Sequence, residues 1–197
     1  MISKMVVVTG RDGAGKSTLL SQAQRSIQEL GKKVHICTIW DNLKRFPLKS
    51  KSEIQSYLTS LNSQARLLFL AHAMMNSLEE SYKVSSDLVL VDSYIYKYLV
   101  NERARGVSAE FGGLLLKMFP EPDVTFFLEL NSEKAFQRKS EISSYESNGE
   151  FIDFQNRMDP YWHQYQLENP QWISIDAMLS PEEVHQQFVT YLQRLWE

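Results

Sequence analysis

The chain has 197 residues, 43% of them apolar, a formal charge of -3 and one cysteine, Cys37. That length suits a single domain over residues 1–197 with a substantial core, and mixed charge near balance excludes a disordered chain or a broad nucleic-acid-binding face. A lone cysteine excludes an intrachain disulfide and points to a reducing, cytoplasmic setting.

The amino-terminal region reads as strand, loop and helix. The apolar run Met5-Val6-Val7-Val8 leads into Gly10-Arg11-Asp12-Gly13-Ala14-Gly15-Lys16-Ser17, and Leu19, Leu20, Ala23, Ile27 and Leu30 follow at helical spacing. The loop fits G-x-x-x-x-G-K-[ST] at every fixed position, in the strand-to-helix setting that pattern requires. Glycines let main-chain N–H groups converge on a polyphosphate, and the helix N-terminus adds partial positive charge. The pattern predicts an ATP site built from Gly10, Asp12, Gly13, Ala14, Gly15, Lys16, Ser17 and Thr18. Lys16 would reach the β- and γ-phosphates and the Ser17 hydroxyl would ligate Mg²⁺. The short apolar run is consumed by the loop, so no signal peptide is expected, and no apolar stretch reaches the roughly 18–20 residues of a membrane helix.

Val34 to Trp40 reads as a second strand, with Asp41 beyond its carboxyl end, where ligands gather in open α/β sheets. The basic segment Leu43 to Lys51, with Arg45, reads either as a solvated loop or as a segment steering an anionic acceptor or ATP. A long helix from Leu61 to Tyr82 carries Leu61, Ala65, Leu68, His72, Met75 and Tyr82 as a stripe for the core or a partner helix. Asp87 to Asp92 is a third strand ending in a carboxylate, the usual companion of a phosphate loop for Mg²⁺. A helix over Tyr98 to Ala104, another over Ala109 to Met118 and a fourth strand over Val124 to Leu128 follow. Ser132 is expected to cap the next helix, Glu141 to Gly149 reads as a polar flap, and Phe151 to Leu167 returns to helix. Trp172 to Ile175 is a fifth strand, and Ser180 with Glu183 forms a capping box for the last helix. His35, His72, His163 and His185 lack metal-ligand spacing. Alternating strands and helices imply an α/β fold with a parallel sheet covered on both faces.

The sequence resembles the thymidylate kinase family, within the nucleoside monophosphate kinases. The resemblance runs through the phosphate loop, Leu68-Phe69-Leu70-Ala71, Val91-Asp92-Ser93-Tyr94, Pro120-Glu121-Pro122-Asp123-Val124, Arg138-Lys139-Ser140-Glu141-Ile142 and Ile175-Asp176-Ala177. It implies a P-loop NTPase with a five-stranded parallel sheet, a short lid over about residues 139–151 and homodimers packed through helices. It also implies transfer of the ATP γ-phosphoryl group to a small-molecule acceptor. On this reading Lys16, Asp92, Arg138 and Lys139 are catalytic, and Ser17 and Asp92 hold Mg²⁺. Asp12 meets the acceptor sugar and Phe69 stacks on its base, while Asp41, Arg45, Tyr94, Lys97, Glu102 and Arg105 are further acceptor-site candidates. No nucleic-acid or membrane partner is implied.

The departures from the family pattern bear on the acceptor. Ser93 and Ala73 stand where the family carries arginines. Each arginine hydrogen bond to a charged acceptor is worth about 1.5–3 kcal/mol, so losing two costs roughly 3–6 kcal/mol, or about 10²–10⁴ in affinity. Either Arg45, Lys97, Arg103 or Arg105 holds the acceptor phosphate, or the acceptor is not dTMP. Three readings follow: a kinase of dTMP or a related nucleoside monophosphate, a same-fold kinase of a nucleoside or other metabolite, and a non-enzymatic ATP-binding regulator.

Overall fold

A computed structural model describes residues 3–40, 50–147 and 150–195. Five strands, β1 (Lys4–Gly10), β2 (Val34–Cys37), β3 (Leu88–Asp92), β4 (Val124–Glu129) and β5 (Ile173–Asp176), form one all-parallel sheet in the order β2-β3-β1-β4-β5. Parallel neighbours demand crossover connections; among the described residues there are nine helices, eight between strands and one after β5. They are α1 (Lys16–Glu29), α2 (Lys51–Ser60), α3 (Ser63–Lys83), α4 (Tyr94–Arg103), α5 (Ala109–Leu116), α6 (Ser132–Arg138), α7 (Ser144–Ser147), α8 (Phe151–Glu168) and α9 (Pro181–Gln193).

Side chains alternate across the sheet, which divides the core in two. Val6, Val8, Leu90, Phe126 and Leu128 pack toward α1 and α9, against Leu20, Ala23, Ile27 and Phe188. Met5, Val7, Val89, Val91 and Phe127 pack the other way, against Leu70, Met74, Leu99 and Trp162 from α3, α4 and α8. With β1 central, every carboxyl-end loop on either side of it opens at the same rim.

Several elements differ from the sequence expectation. β2 ends at Cys37, with Ile39 and Trp40 in a 3₁₀ turn. α4 starts at Tyr94, directly after β3, because Ser93 and Tyr94 turn sharply at φ 75° and 55°. The cap of α6 is Asn131, whose side chain accepts from the Lys134 N–H, and not Ser132. The Ser180–Glu183 capping box is present as expected. Within the polar flap, α7 buries Tyr145.

The largest difference lies on α3. Its buried face is Arg66, Leu67, Leu70, Ala71, Ala73, Met74, Ser77, Leu78 and Ser81, whereas Leu68 and Tyr82 are half exposed and His72 is exposed. The buried face lies nearly opposite the expected stripe, with polar groups among its residues, which leaves the stripe on the outer surface where a partner helix could meet it. Arg66 Nε and Nη2 donate to the two oxygens of the fully buried Glu102 at 2.9 and 3.0 Å, and Ser81 Oγ donates to the Ser77 carbonyl at 2.7 Å. The guanidinium of Arg105 joins the same carboxylate and lies 4.8 Å from the Tyr145 ring and 4.0 Å from the Phe154 ring.

Removing one member of a buried pair leaves an uncompensated charge, at a cost of about 3–5 kcal/mol. Glu102→Ala is therefore expected to lower the unfolding free energy by about that amount in urea titrations. Replacing the whole network, with Arg66→Met and Arg105→Met alongside Glu102→Met, should recover most of the loss.

Candidate active site

The phosphate loop turns out of β1 under tight steric control. Gly10 lies at φ 133°, and a Cβ there would sit 2.7 Å from the Leu128 carbonyl oxygen. Gly13 lies at φ 84°, and its Cβ would meet the Ala135 carbonyl oxygen at 2.6 Å. Both neighbours are backbone of β4 and α6, so neither can yield. These two positions accept only glycine, and the loop is pressed against the sheet and α6.

At the loop's end Lys16 is buried, and its ammonium donates to the carbonyls of Gly10 at 3.0 Å and Arg11 at 2.7 Å. Burial, with Lys97 nearby, lowers its pKa to about 8 in spite of Asp12 and Asp92. Ser17 Oγ donates to Asp92 Oδ2 at 2.7 Å. Asp92 closes β3, and Ser93 Oγ donates to its other oxygen at 2.9 Å. A hydroxyl and a carboxylate side by side on an exposed rim are hard oxygen donors, which fits Mg²⁺ entering with a nucleotide. Among the described residues, no cluster of three or more His, Cys, Asp or Glu is placed to hold a metal ion by itself.

From the loop a cleft of about 280 Å³ runs between α2, α3, α4 and α7. Its lining includes Asp12, Lys16, Ser17, Trp40, Leu58, Leu70, Asp92, Lys97, Tyr98, Lys139, Tyr145 and Glu146. Lys97 forms a hydrogen-bonded ion pair with Asp12, both largely buried. Burial alone would push the Asp12 carboxyl up, but Lys97 and Lys16 hold it well below the usual carboxylate range. Burial likewise works against the Lys97 ammonium, and Asp12 outweighs it, so that lysine stays charged. Lys139 pairs with Glu146 at 2.7 Å, and Glu146 also accepts from the Ser143 N–H and hydroxyl.

The sequence candidates separate in space. The loop residues, Asp92, Lys97 and Lys139 gather at the cleft. Arg138 does not; with Gly13, Ala14, Gly15 and Thr18 it lines a neighbouring depression on the α1–α9 side. The ring of Phe69 meets Tyr57 edge-on at 5.3 Å, and the wall on its side is formed by Gln55, Leu58 and Leu70. Tyr94 is fully buried and donates to the Pro120 carbonyl, beside a separate cavity at the opposite end of the strands. Glu102 and Arg105 are consumed by the buried network with Arg66 and Tyr145, behind the cleft rather than in it. Asp41 and Arg45 lie outside the described residues. Sequence reasoning missed Tyr98, Tyr145 and Glu146. The signal for the last two was an aromatic and an acid adjoining in an otherwise serine-rich stretch.

A glycine loop gripping the end of β1, a buried lysine, and a serine–aspartate pair at the sheet's carboxyl rim define a P-loop NTPase. The family model described as thymidylate kinase matches residues 8–188 of the chain. Relatives named thymidylate kinase include one from Chlorobaculum parvum, 26% identical over 214 residues that cover 97% of this chain and 96% of the relative. One from Legionella pneumophila (strain Paris) is 26% identical over 214 residues, covering 100% of this chain and 97% of the relative. One from Danio rerio is 26% identical over 189 residues, covering 92% and 85%. The chain belongs to the thymidylate kinase family and is an ATP-dependent phosphotransferase.

A lysine with a pKa of about 8 has a direct consequence for nucleotide binding. A polyphosphate favours the charged ammonium and so raises that pKa, and the complex takes up a fraction of a proton near pH 8. ATP affinity is expected to weaken as pH rises from about 7 to about 9. Calorimetry in buffers of different ionisation enthalpy would register the uptake, and its absence at pH 8 would contradict this account.

Proposed function

We propose that this protein transfers the γ-phosphoryl group of ATP to thymidine monophosphate or a closely similar pyrimidine deoxynucleotide. The observation that carries the reading is the continuity of the phosphate loop with one cleft that holds Lys16, Asp12, Lys97 and Lys139. The names of the relatives support the choice of acceptor.

Phosphoryl transfer asks a protein mainly for positioning and for charge stabilisation. In this reading the loop amides and Lys16 hold the β- and γ-phosphates. An oxygen of the acceptor phosphate attacks the γ-phosphorus while the bond to the β,γ-bridging oxygen breaks, leaving ADP and a nucleoside diphosphate. Ser17 and Asp92 would hold Mg²⁺, which when bound supplies neutralising charge between the phosphates. The low pKa of Asp12 keeps it an acceptor for a sugar hydroxyl. Arg138, on the α1–α9 side, is suited to the nucleoside end of ATP, and Lys139 to the transferring group once Glu146 releases it.

A lid over about residues 139–151, closing to exclude water, belongs to the same proposal. So do a cytoplasmic location and a homodimer through the half-exposed face of α3 that carries Leu68 and Tyr82. Among the described residues no helix is long and apolar enough to cross a membrane.

Incubation with Mg-ATP and a panel of acceptors tests the reading. ADP release is expected with thymidine monophosphate, and Lys16→Ala should cut that turnover at least about 10²-fold. Release only with acceptors that are not nucleotides, or an unchanged rate in the variant, would overturn it. Sedimentation should show a species of twice the chain mass.

A further inference from the structure

We infer that Lys97 is the cation that binds the acceptor's phosphate, with Asp12 as its positioning residue. The inference rests on the nucleotide-kinase reading above and names the group that makes the acceptor site a phosphate site.

The first support is the inventory of cations. Among the described residues lining the cleft, only Lys16, Lys97 and Lys139 carry positive charge. Lys16 belongs to the phosphate loop and the donor, and Lys139 is held by Glu146 at the lid. The described arginines around the cleft are turned elsewhere. Arg66 and Arg105 serve Glu102, Arg103 lies over the Tyr161 ring at 4.9 Å, and Arg11 pairs with Asp159. Among the described residues Lys97 is the remaining cation, and α4 delivers it from the wall facing the loop.

The second support is the state of the pair. An ammonium carries three donors, and a single carboxylate oxygen uses one. Asp12 Oδ1 takes Lys97, whereas Asp12 Oδ2 is buried with no hydrogen-bond partner among the described residues. The pair therefore has unused donors on Lys97, which lines the cleft, and an unused acceptor on Asp12 buried just behind it. A phosphate monoester satisfies the donors, and a small turn of the Asp12 carboxylate would bring its second oxygen to a hydroxyl of the attached sugar. Lys16 and Lys97 also oppose each other's charge across this space, which an anion placed between them relieves. Such an anion lies beside the end of the donor triphosphate, where an attacking oxygen is needed.

Binding measurements on the intact protein separate a phosphate contact from a structural role. Calorimetry would compare thymidine monophosphate with thymidine, and a non-hydrolysable ATP analogue would report on the fold. For Lys97→Ala, affinity for the monophosphate should fall by about 10–100-fold, the loss of one charged hydrogen bond. Thymidine and the ATP analogue should be affected far less than the monophosphate, and Lys97→Arg should recover most of the monophosphate affinity. Lys97→Met, which keeps the volume of the stem, gives the same comparison if the alanine variant does not fold. Unchanged monophosphate affinity, or equal losses for nucleoside and nucleotide, would overturn the inference while leaving the function standing. A wild-type protein that neither binds nor turns over thymidine monophosphate would remove both together.

Discussion

A buried ammonium without a hydrogen-bonded carboxylate of its own sets the terms for the rest of this molecule. Among the described residues Lys16 has only the carbonyls of Gly10 and Arg11 as hydrogen-bond acceptors, and both belong to the loop that presents it. An ion so placed is under-solvated, and its lowered pKa expresses that. A polyphosphate bound at the rim would supply the missing charge. The loop can hold the lysine there because β4 and α6 press on Gly10 and Gly13 from behind, leaving no room for any Cβ. The sheet thus fixes the loop, the loop fixes the lysine, and the lysine fixes what the rim can bind.

The opposite wall of the cleft depends on a second constraint. Ser93 and Tyr94 hold left-handed backbone angles that ordinarily cost about 1–3 kcal/mol each. Their surroundings hold them in place: the Ser93 N–H donates to the Val8 carbonyl at 2.9 Å, and Thr9 Oγ1 donates to the Ser93 carbonyl at 2.9 Å. The tyrosine is anchored at the far end by Pro120. The sharp turn lets β3 pass into α4 with no loop between them. That brings Asp92 against Ser17 and Lys97 against Asp12 within a few residues of chain. The network of Glu102, Arg66 and Arg105 then ties α4 to α3, and the carbonyl and ring of Tyr145 tie α7 to both. The short helix of the flap is therefore joined to the core that carries the Lys97 side of the cleft.

Much of this was legible before any coordinates. The phosphate loop is written contiguously, so its residue types and spacing specify a local conformation. β1, β3 and β4 are short apolar runs bounded by turn residues, and their burial follows from that pattern. The Ser180 cap was readable because its partners lie three residues apart. Where cues competed locally the reading slipped: Asn131 and Ser132 are both good caps, and only the chain's path selects Asn131. On α3 the apolar letters suggested one face, but Arg66, Ser77 and Ser81 face inward. A charge on the inner face is tolerable only because Glu102 arrives from another helix.

The sequence by itself determined the glycine-rich loop after β1, the strand-end Asp92 and the parallel α/β architecture, since each is encoded by neighbours along the chain. Tertiary structure decided which of the scattered charged residues serve the cleft. Glu102 and Arg105 looked like acceptor ligands but neutralise each other's surroundings behind the wall. Lys97 and Asp12, 85 positions apart, meet at its floor. A charge acquires its role from the partner that removes its desolvation cost, and partners so distant in sequence are chosen by packing alone.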